Sequence, residues 1–254
     1  AVSMDANFAL AHAGIAHTCG LFHYFHEPQA KWIQKGLGAC ERALKIDPQV
    51  AEGLAARALI LYAQGKYEEA INFARRAIDR KPDCEGAYYA LGRACFQADR
   101  LDEAAEAADR AITASGDDYN VHIPYMNTLE RLGQHEAAAR IRQEWVGKLE
   151  RQLESVPEDV RARILLAGAY AHFGNAEGSG QELKRAVALR PEDPNVLYNA
   201  ACTYAILLKK PEALDHLRKA WEAGYVNLEW ASRDPDLACL HDDPEFRRLI
   251  GSGE

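Results

Sequence analysis

The sequence lacks the features of membrane, nucleic-acid-binding and disulfide-stabilised proteins. No apolar run approaches the roughly 18 residues that a membrane helix needs, and no signal-peptide pattern is present. The formal net charge is -8, whereas proteins that bind nucleic acid usually carry a basic face. The six cysteines contain no CxxC pair, which favours reduced thiols in a packed core over disulfides or metal sites. The composition therefore predicts a cytoplasmic protein with no membrane or nucleic-acid partner.

Signatures of catalysis are also missing. The sequence has no glycine-rich loop, no HRD or DFG motif and no P-loop. Carboxylate pairs such as Glu68-Glu69 and Asp242-Asp243 fall at expected helix starts and turns, where acidic residues favour the helix dipole. Without a nucleophile, a base and an oxyanion site that converge, catalysis has no support. We expect no enzyme activity and no cofactor.

What the sequence does contain is a repeated unit of 34 residues, most regular from Ala51 to Cys84. Apolar residues at helical spacing around Ala58 predict a first helix, which Gly65 ends. A second helix follows until Pro82 stops it, because proline removes a backbone donor and clashes with the preceding turn. Small residues where the two helices meet let them approach closely. The unit therefore predicts a helix-turn-helix.

The unit recurs along most of the chain, in repeats that start at about residues 9, 51, 85, 119, 160 and 194. Positions 8, 20 and 27 of the unit hold small residues in most of the repeats. These positions hold Ala16, Ala58, Gly92, Met126, Ala167, Ala201, Gly36, Ala70, Ala104, Ala138, Ser179, Ala213, Ala43, Ala77, Ala111, Trp145, Ala186 and Ala220. All but Met126 and Trp145 are Ala, Gly or Ser, and both exceptions lie in the fourth repeat. This agreement exceeds chance even in an alanine-rich chain.

The spacing resembles the tetratricopeptide repeat. That resemblance implies an all-α fold, a right-handed α-solenoid of about six repeats with a C-terminal capping helix, and a non-catalytic role in protein binding. The stretches VLYNAACTYA, KPEALDHLRKAWEAGY and RDPDLACLHDDPEFRRLI also resemble the C-terminal repeat regions of bacterial multidomain serine/threonine kinases, adenylate cyclases or regulators. The chain is therefore expected to be a regulatory or scaffolding part of a larger bacterial protein.

The expected organisation follows the repeats. Residues 1–8 match the tail of a preceding repeat, and residues 251–254 match a tag or tail. The six repeats occupy 9–50, 51–84, 85–118, 119–159, 160–193 and 194–225, and a cap occupies 226–250. In the cap, Asp-Pro pairs predict a short helical turn near Leu237 and a last helix from Pro244 to Ile250.

Two repeats depart from the pattern. The first repeat is about eight residues longer, and its first helix is expected to run on until Pro28. In the fourth repeat, Pro124 predicts a helix that starts late, because an interior proline costs about 3 kcal/mol. The second helix of that repeat continues about seven residues further than usual, towards Pro157. This extension is expected either to protrude as a handle or to support the next repeat.

A stripe of histidines in the first repeat suggests a metal site. His12, Cys19, His23 and His26 share one face of the predicted helix. His12 and Cys19, however, fall at positions that pack against the second helix of the same repeat. A zinc site also needs about four converging ligands and supporting groups that one helix cannot offer. We therefore expect no metal.

The partner-binding face is predicted on first-helix positions 2, 5, 9, 12 and 13, which line the inner face of such repeats. These positions hold Tyr89, Arg93, Phe96, Asn127, Arg131, Arg161, His172 and Tyr198. The aromatic rings suit apolar side chains, Asn127 suits a peptide backbone, and the arginines suit an acidic or phosphorylated segment. The lysine and asparagine arrangement of the family's carboxylate clamp is not reproduced.

Two roles stay open at this point. The first is a peptide-binding module that uses this face. The second is a structural spacer or self-assembly element, in which some of the same side chains fill the contacts between neighbouring repeats.

Overall fold

The computed structural model describes residues 2–25, 29–84 and 86–251, and every regular element in these ranges is helical. The first eight helices are α1 Ala9–Phe25, α2 Ala30–Ile46, α3 Ala51–Ala63, α4 Tyr67–Arg80, α5 Ala87–Gln97, α6 Leu101–Ala114, α7 His122–Arg131 and α8 His135–Ser155. The others are α9 Val160–His172, α10 Ala176–Leu189, α11 Pro194–Ile206, α12 Lys210–Glu222, α13 Leu228–Ala231 and α14 Pro244–Gly251. Two 3₁₀ turns lie at Tyr119–Val121 and Pro235–Leu240. The predicted all-α class is confirmed.

The chain divides into two compact units between Ile141 and Arg142, a point inside α8. In the first unit, α1 packs on α2 and α3 packs on α4, while α1 and α5 both contact α3. In the second unit, α9 packs on α10, α11 packs on α12, and α9 contacts α11. Each unit is thus built from helix pairs whose first helices touch one another.

The same tight turn ends the first helix of repeats two to six. The residue at position 15 of each of these repeats has a positive φ. These residues are Gly65, Asp99, Gly133, Gly174 and Leu208. After each of them, the N–H of position 16 donates to the C=O of position 11 over 2.8 or 2.9 Å. This hydrogen bond closes the helix end in the left-handed conformation that glycine adopts without strain. In the first repeat α1 continues through that position instead.

The small residues pack where they were expected. All eighteen residues at positions 8, 20 and 27 are buried, including Met126 and Trp145. Gly92 shows why size matters in the third repeat, because a Cβ there would come within 3.0 Å of Pro124 and Tyr125. Tyr125 in turn donates its hydroxyl to the backbone carbonyl of Tyr88 over 2.8 Å. Close approach of α5 and α7 therefore depends on a glycine at this position.

The fourth repeat has the expected irregularities. A 3₁₀ turn precedes α7, and Pro124 lies in the first turn of that helix. The 21 residues of α8 exceed the 14 of α4, α6 and α10. The extension is packed rather than protruding: Leu149 is fully buried, and Glu150 accepts the Tyr170 hydroxyl over 2.8 Å. These contacts support the next repeat and exclude a free handle.

The predicted C-terminal cap is present. The 3₁₀ turn and α14 bury Leu237, Leu240 and Phe246 against a core that includes Leu214 and Leu217 of α12. Asp234 caps the turn by accepting from the N–H of Asp236, and Asp243 caps α14 through the N–H of Glu245. Of the expected tag or tail at 251–254, residues 252–254 lie outside the described residues, as does Pro28 in the first repeat.

The six cysteines are free thiols, and all except Cys239 are buried. Burial raises the pKa of Cys95 to about 12 and that of Cys40 to about 11, so these thiols stay protonated. The cysteines thus pack as small apolar residues, as expected.

Candidate partner-binding site

The eight predicted residues are divided between the two units. Those of the first unit lie on α5 (Tyr89, Arg93, Phe96) and α7 (Asn127, Arg131). Those of the second unit lie on α9 (Arg161, His172) and α11 (Tyr198).

In the first unit, Arg93 lies in a cluster of three tyrosines, hereafter the tyrosine cluster: Tyr24, Tyr62 and Tyr89. The guanidinium carbon of Arg93 is 5.6 Å from the ring centroid of Tyr24 and 5.4 Å from that of Tyr89. Its Nε–H donates to the Tyr89 hydroxyl over 3.3 Å. The Tyr62 hydroxyl donates to that of Tyr24 over 3.5 Å, with the two ring centroids 5.6 Å apart. One side chain from each of α1 and α3 and two from α5 thus form a single aromatic and cationic cluster.

Tyr24 and Tyr62 are the site residues that sequence reasoning missed. Tyr62 occupies position 12 of the second repeat, which is one of the positions used to predict the face, so extending the same rule to that repeat finds it. Tyr24 lies beyond the regular first helix and reaches Arg93 because α1 continues to Phe25. The extra length of the first repeat therefore contributes to the site.

Arg93 has no acidic partner among the described residues. Its contacts are with the tyrosine cluster, and the side chain is partly exposed. Burial lowers the pKa of Arg93, but the hydroxyls of Tyr24, Tyr89 and Tyr62 raise it by more, so the pKa lies above its ordinary value. The guanidinium therefore carries a full positive charge.

Arg131 differs from Arg93 because its charge is compensated. It stacks on Phe96, 5.4 Å from the ring centroid, and its Nη2 donates to Asp99 over 2.7 Å. Phe96 is buried and serves as a support for Arg131. Asn127 is half-buried at position 9 of the fourth repeat, and Arg93 occupies the same position of the third repeat. No described residue hydrogen-bonds to the side chain of Asn127.

Burial changes the roles of two predicted tyrosines. Tyr89 is 2% exposed, so it holds Arg93 rather than offering a surface. Tyr198 is 3% exposed, stacks on Tyr225 at 4.2 Å and donates its hydroxyl to Asp234 over 2.7 Å. Tyr198 therefore belongs to the core beneath the cap and presents no face to a partner.

The other two predicted residues of the second unit are accessible. His172 hydrogen-bonds to Asp236 through Nε2 over 3.0 Å, which joins α9 to the cap, and Arg161 is half-buried on α9. The three predicted arginines therefore differ: Arg93 is uncompensated, Arg131 is paired with Asp99, and Arg161 lies in the other unit.

The second unit also brings together potential metal ligands. One ligand atom from each of Cys202, Asp234 and Asp236 lies within 4.8 Å of the others. Hydrogen bonds already engage this group, because Tyr198 and Cys202 both donate to the same oxygen of Asp234, over 2.7 and 3.7 Å. Burial and the charge of Asp236 raise the pKa of Asp234 to about 7. The carboxyl of Asp234 is therefore only partly ionised near neutral pH, which weakens it as a metal ligand.

The histidine stripe of α1 does not converge in the described residues. His12 hydrogen-bonds to the carbonyl of Ala6 over 3.0 Å, and His23 to that of Gln29 over 3.1 Å. His26 lies outside the described residues. Across the part of the chain that the structure describes, no helix is long and apolar enough to cross a membrane.

Comparison with known proteins gives one family. A profile of the tetratricopeptide repeat family matches residues 55–119 and 127–194. Among solved structures, a thermophilic TPR protein of Thermus thermophilus, TTC0263, is 20% identical with a TM-score of 0.54 over 75% of this chain and 98% of its own. A tetratricopeptide repeat protein of Parabacteroides merdae ATCC 43184 is 17% identical, with a TM-score of 0.53 over 94% of this chain and 87% of its own.

The APC/C hetero-tetramer Cut9-Hcn1 is also similar, at 16% identity and a TM-score of 0.55 over 87% of this chain and 42% of that chain. At these identities the likeness concerns the fold alone, which is a helical solenoid. No curated protein matches the chain.

Proposed function

The chain belongs to the tetratricopeptide repeat family, and we propose on that premise that it is a non-catalytic interaction module that binds a segment of a partner protein. The binding face is the first-helix face of the first unit, formed by α5 and α7 with α1 and α3 beside them. We further propose that it acts in the cytoplasm as the regulatory part of a larger bacterial protein.

The observation that carries this proposal is the polar chemistry of α5 and α7 in helices that are otherwise mostly buried. Nine of the 11 residues of α5 are buried, yet Arg93 remains partly exposed and rests on aromatic rings. Asn127 keeps its amide available on α7, and Arg131 stacks on Phe96. An arginine that is stacked and positioned in advance loses little side-chain entropy when it binds a partner.

The partner segment that suits this face is acidic or phosphorylated. Bidentate hydrogen bonds from arginine to carboxylate or phosphate are strong and directional. Asp99 pairs with Arg131, so Arg93 is the arginine of this face whose charge is left for a partner's acid. The amide of Asn127 is suited to a peptide backbone, since it offers both a donor and an acceptor.

Site-specific photo-crosslinking tests the module. A photoreactive amino acid replaces Asn127 on the proposed face or, as the control, Asn72, an exposed asparagine on the second helix α4. We expect the same partner segment to be crosslinked repeatedly through position 127 and not through position 72. Equal capture at both positions, or none at position 127 in extracts of the source cells, contradicts the proposal.

A second role, self-association, is favoured by the apolar surface of α1. Ile15 and Phe22 are exposed on this helix, and an open cavity of about 700 Å³ lies beside them and Trp32. Exposed apolar patches of this kind often mark interfaces. Sedimentation velocity across a concentration series tests this: association that Ile15→Lys abolishes supports self-assembly, and a monomer at every concentration contradicts it.

A further inference from the structure

We infer that Arg93 is the receptor for a single carboxylate, the side chain of a Glu or Asp in the partner segment. This inference rests on the proposed function and deepens it, because it names the group that is recognised and the residue that recognises it. Three features of Arg93 support it: its uncompensated charge, the fixed plane of its guanidinium and the absence of a second uncompensated arginine beside it among the described residues of this face.

Charge compensation distinguishes Arg93 from several other arginines of the first unit. Several arginines of the first unit already pair with carboxylates of this chain. These pairs are Arg75 with Glu103, Arg100 with Glu68, Arg131 with Asp99 and Arg140 with Asp109. Within the described residues, Arg93 pairs with no carboxylate, although its side chain is partly buried. A positive charge that is kept partly buried without a counter-charge is the feature expected of an anion receptor.

The geometry of the Arg93 guanidinium also suits a carboxylate. The Nε–H of Arg93 is engaged by the Tyr89 hydroxyl, while the rings of Tyr24 and Tyr89 flank the guanidinium. The four N–H groups on the two terminal nitrogens find no acceptor among the described residues. These two nitrogens form the fork that binds both oxygens of a carboxylate in parallel. The tyrosine cluster therefore fixes the orientation of the fork before a ligand arrives.

The single charge of Arg93 suits a carboxylate better than a phosphate. Sites for phosphorylated segments typically use clusters of arginines, because the phosphate carries nearly two negative charges. Here Arg93 acts alone, since Asp99 compensates Arg131, the next arginine on this face. The chain as a whole carries a net charge of -8. One uncompensated arginine in an acidic protein suits a singly charged ligand.

Peptide pools of defined composition test this inference. Three fluorescent dodecapeptide pools carry a fixed central Glu, Gln or phosphoserine, and uncharged residues vary at all other positions. Fluorescence anisotropy then gives an apparent Kd of the full chain for each pool. We expect the Glu pool to bind about tenfold more tightly than the Gln pool, as one good charged hydrogen-bond pair provides. This preference should shrink as salt is added.

Variants of two stacked arginines locate the effect. Arg93→Gln should abolish the Glu preference, and Arg93→Lys should weaken it, because lysine keeps the charge and loses the fork. Arg76, which stacks on Phe73 at 4.9 Å on α4, gives the matched control, and Arg76→Gln should retain the preference. In NMR spectra, the Nε–H resonance of Arg93 should shift on addition of the Glu pool and stay in place with the Gln pool.

The possible failures are distinguishable. Equal binding of the Glu and Gln pools by the wild-type chain overturns the carboxylate inference and leaves the module intact, and this comparison requires no variant to fold. A preference for the phosphoserine pool also overturns it. If no pool binds but position 127 still crosslinks a partner, the inference fails alone. If crosslinking at position 127 fails as well, the proposed function fails with it.

Discussion

At the scale of single residues, Asp234 links the chain's stability to pH. Its carboxyl is 4% exposed, accepts hydrogen bonds from Tyr198 and from the N–H of Asp236, and caps the 3₁₀ turn of the C-terminal cap. Burial, followed by the charge of Asp236, raises the pKa of Asp234 from its ordinary 3.8 to about 7. The folded state therefore holds a proton that the unfolded chain releases at a lower pH.

The direction of the pH effect follows from this shift. Because the folded pKa is the higher one, the stabilisation is complete below pH 4 and is lost as the pH rises through about 7. We expect the free energy of unfolding to fall by a few kcal/mol over this interval as the contribution of Asp234 disappears. Urea unfolding at pH 5, 6, 7 and 8 measures the slope.

Asp234→Asn should flatten that slope, since the amide keeps the cap and has no proton to lose. Asp243→Asn, which changes the cap of α14, serves as the control and should leave the slope as it is in the wild type. If Asp234→Asn leaves the pH dependence of the free energy of unfolding unchanged, another group is responsible for it.

A second prediction concerns the ion pair between Arg163 and Glu182, whose side chains are 10% and 12% exposed. Removing one partner leaves an uncompensated charge in the core, so Glu182→Leu should lower the free energy of unfolding by about 3 kcal/mol. The double variant with Arg163→Met should recover most of this loss, because neither charge then remains. If the double variant is as unstable as Glu182→Leu alone, packing and not charge decides the effect.

The residues of the candidate site show how far sequence reasoning reaches. Arg93 and Asn127 were predicted because the repeat assigns both to position 9. The compensation of Arg131 by Asp99 was not predicted, since it joins side chains 32 residues apart and depends on how two helix ends lie together. The burial of Tyr198 was missed because its neighbours, Asp234 and Tyr225, lie in and beside the cap, outside the regular pattern.

At the scale of helices and turns, the left-handed residue at position 15 has a measurable energetic consequence. Leu208 has φ 58° and is 72% exposed, so it gains little from burial while carrying backbone strain. Leu208→Gly should raise the free energy of unfolding by about 1 kcal/mol. Gly174→Ala gives the reverse control, because an added Cβ there meets no atom within 4 Å and only the strained φ of 72° opposes it. Chemical denaturation measures the free energy of unfolding of both variants. If Leu208→Gly is less stable than the wild type, the packing of the leucine side chain outweighs the backbone strain.

Helix lengths were largely predictable, whereas turn conformations were not. Proline and glycine set most of the ends, so the late start of α7 and the length of α8 could be read from Pro124 and Pro157. The left-handed turns at Asp99 and Leu208 could not. Aspartate tolerates that conformation better than most residues but does not by itself predict it, and leucine rarely adopts it. Their φ values follow from the packing of two helices that the rest of the repeat holds in place.

At the scale of the whole chain, the cap determines whether the last repeat is soluble. The cap hides Leu214, Leu217 and Trp221, so a chain truncated after Tyr225 exposes them. Burial contributes roughly 25 cal/mol per Å², and losing it for several large side chains should cost a few kcal/mol and cause association. Light scattering and thermal melting measure both effects. A truncated chain that stays monomeric with an unchanged melting temperature would show that the cap is dispensable.

The turn at position 15 also bears on how such a chain changes during evolution. When a repeat is duplicated, the new copy inherits both the turn and the backbone hydrogen bond that closes it. Mutation away from glycine then meets a penalty of about 1 to 2 kcal/mol rather than a loss of the fold. Asp99 shows that a residue other than glycine at this position can have a second role, since its carboxylate neutralises Arg131 of α7 and leaves Arg93 as the uncompensated charge of that face. The residue that ends the first helix can therefore also determine which charges a partner meets.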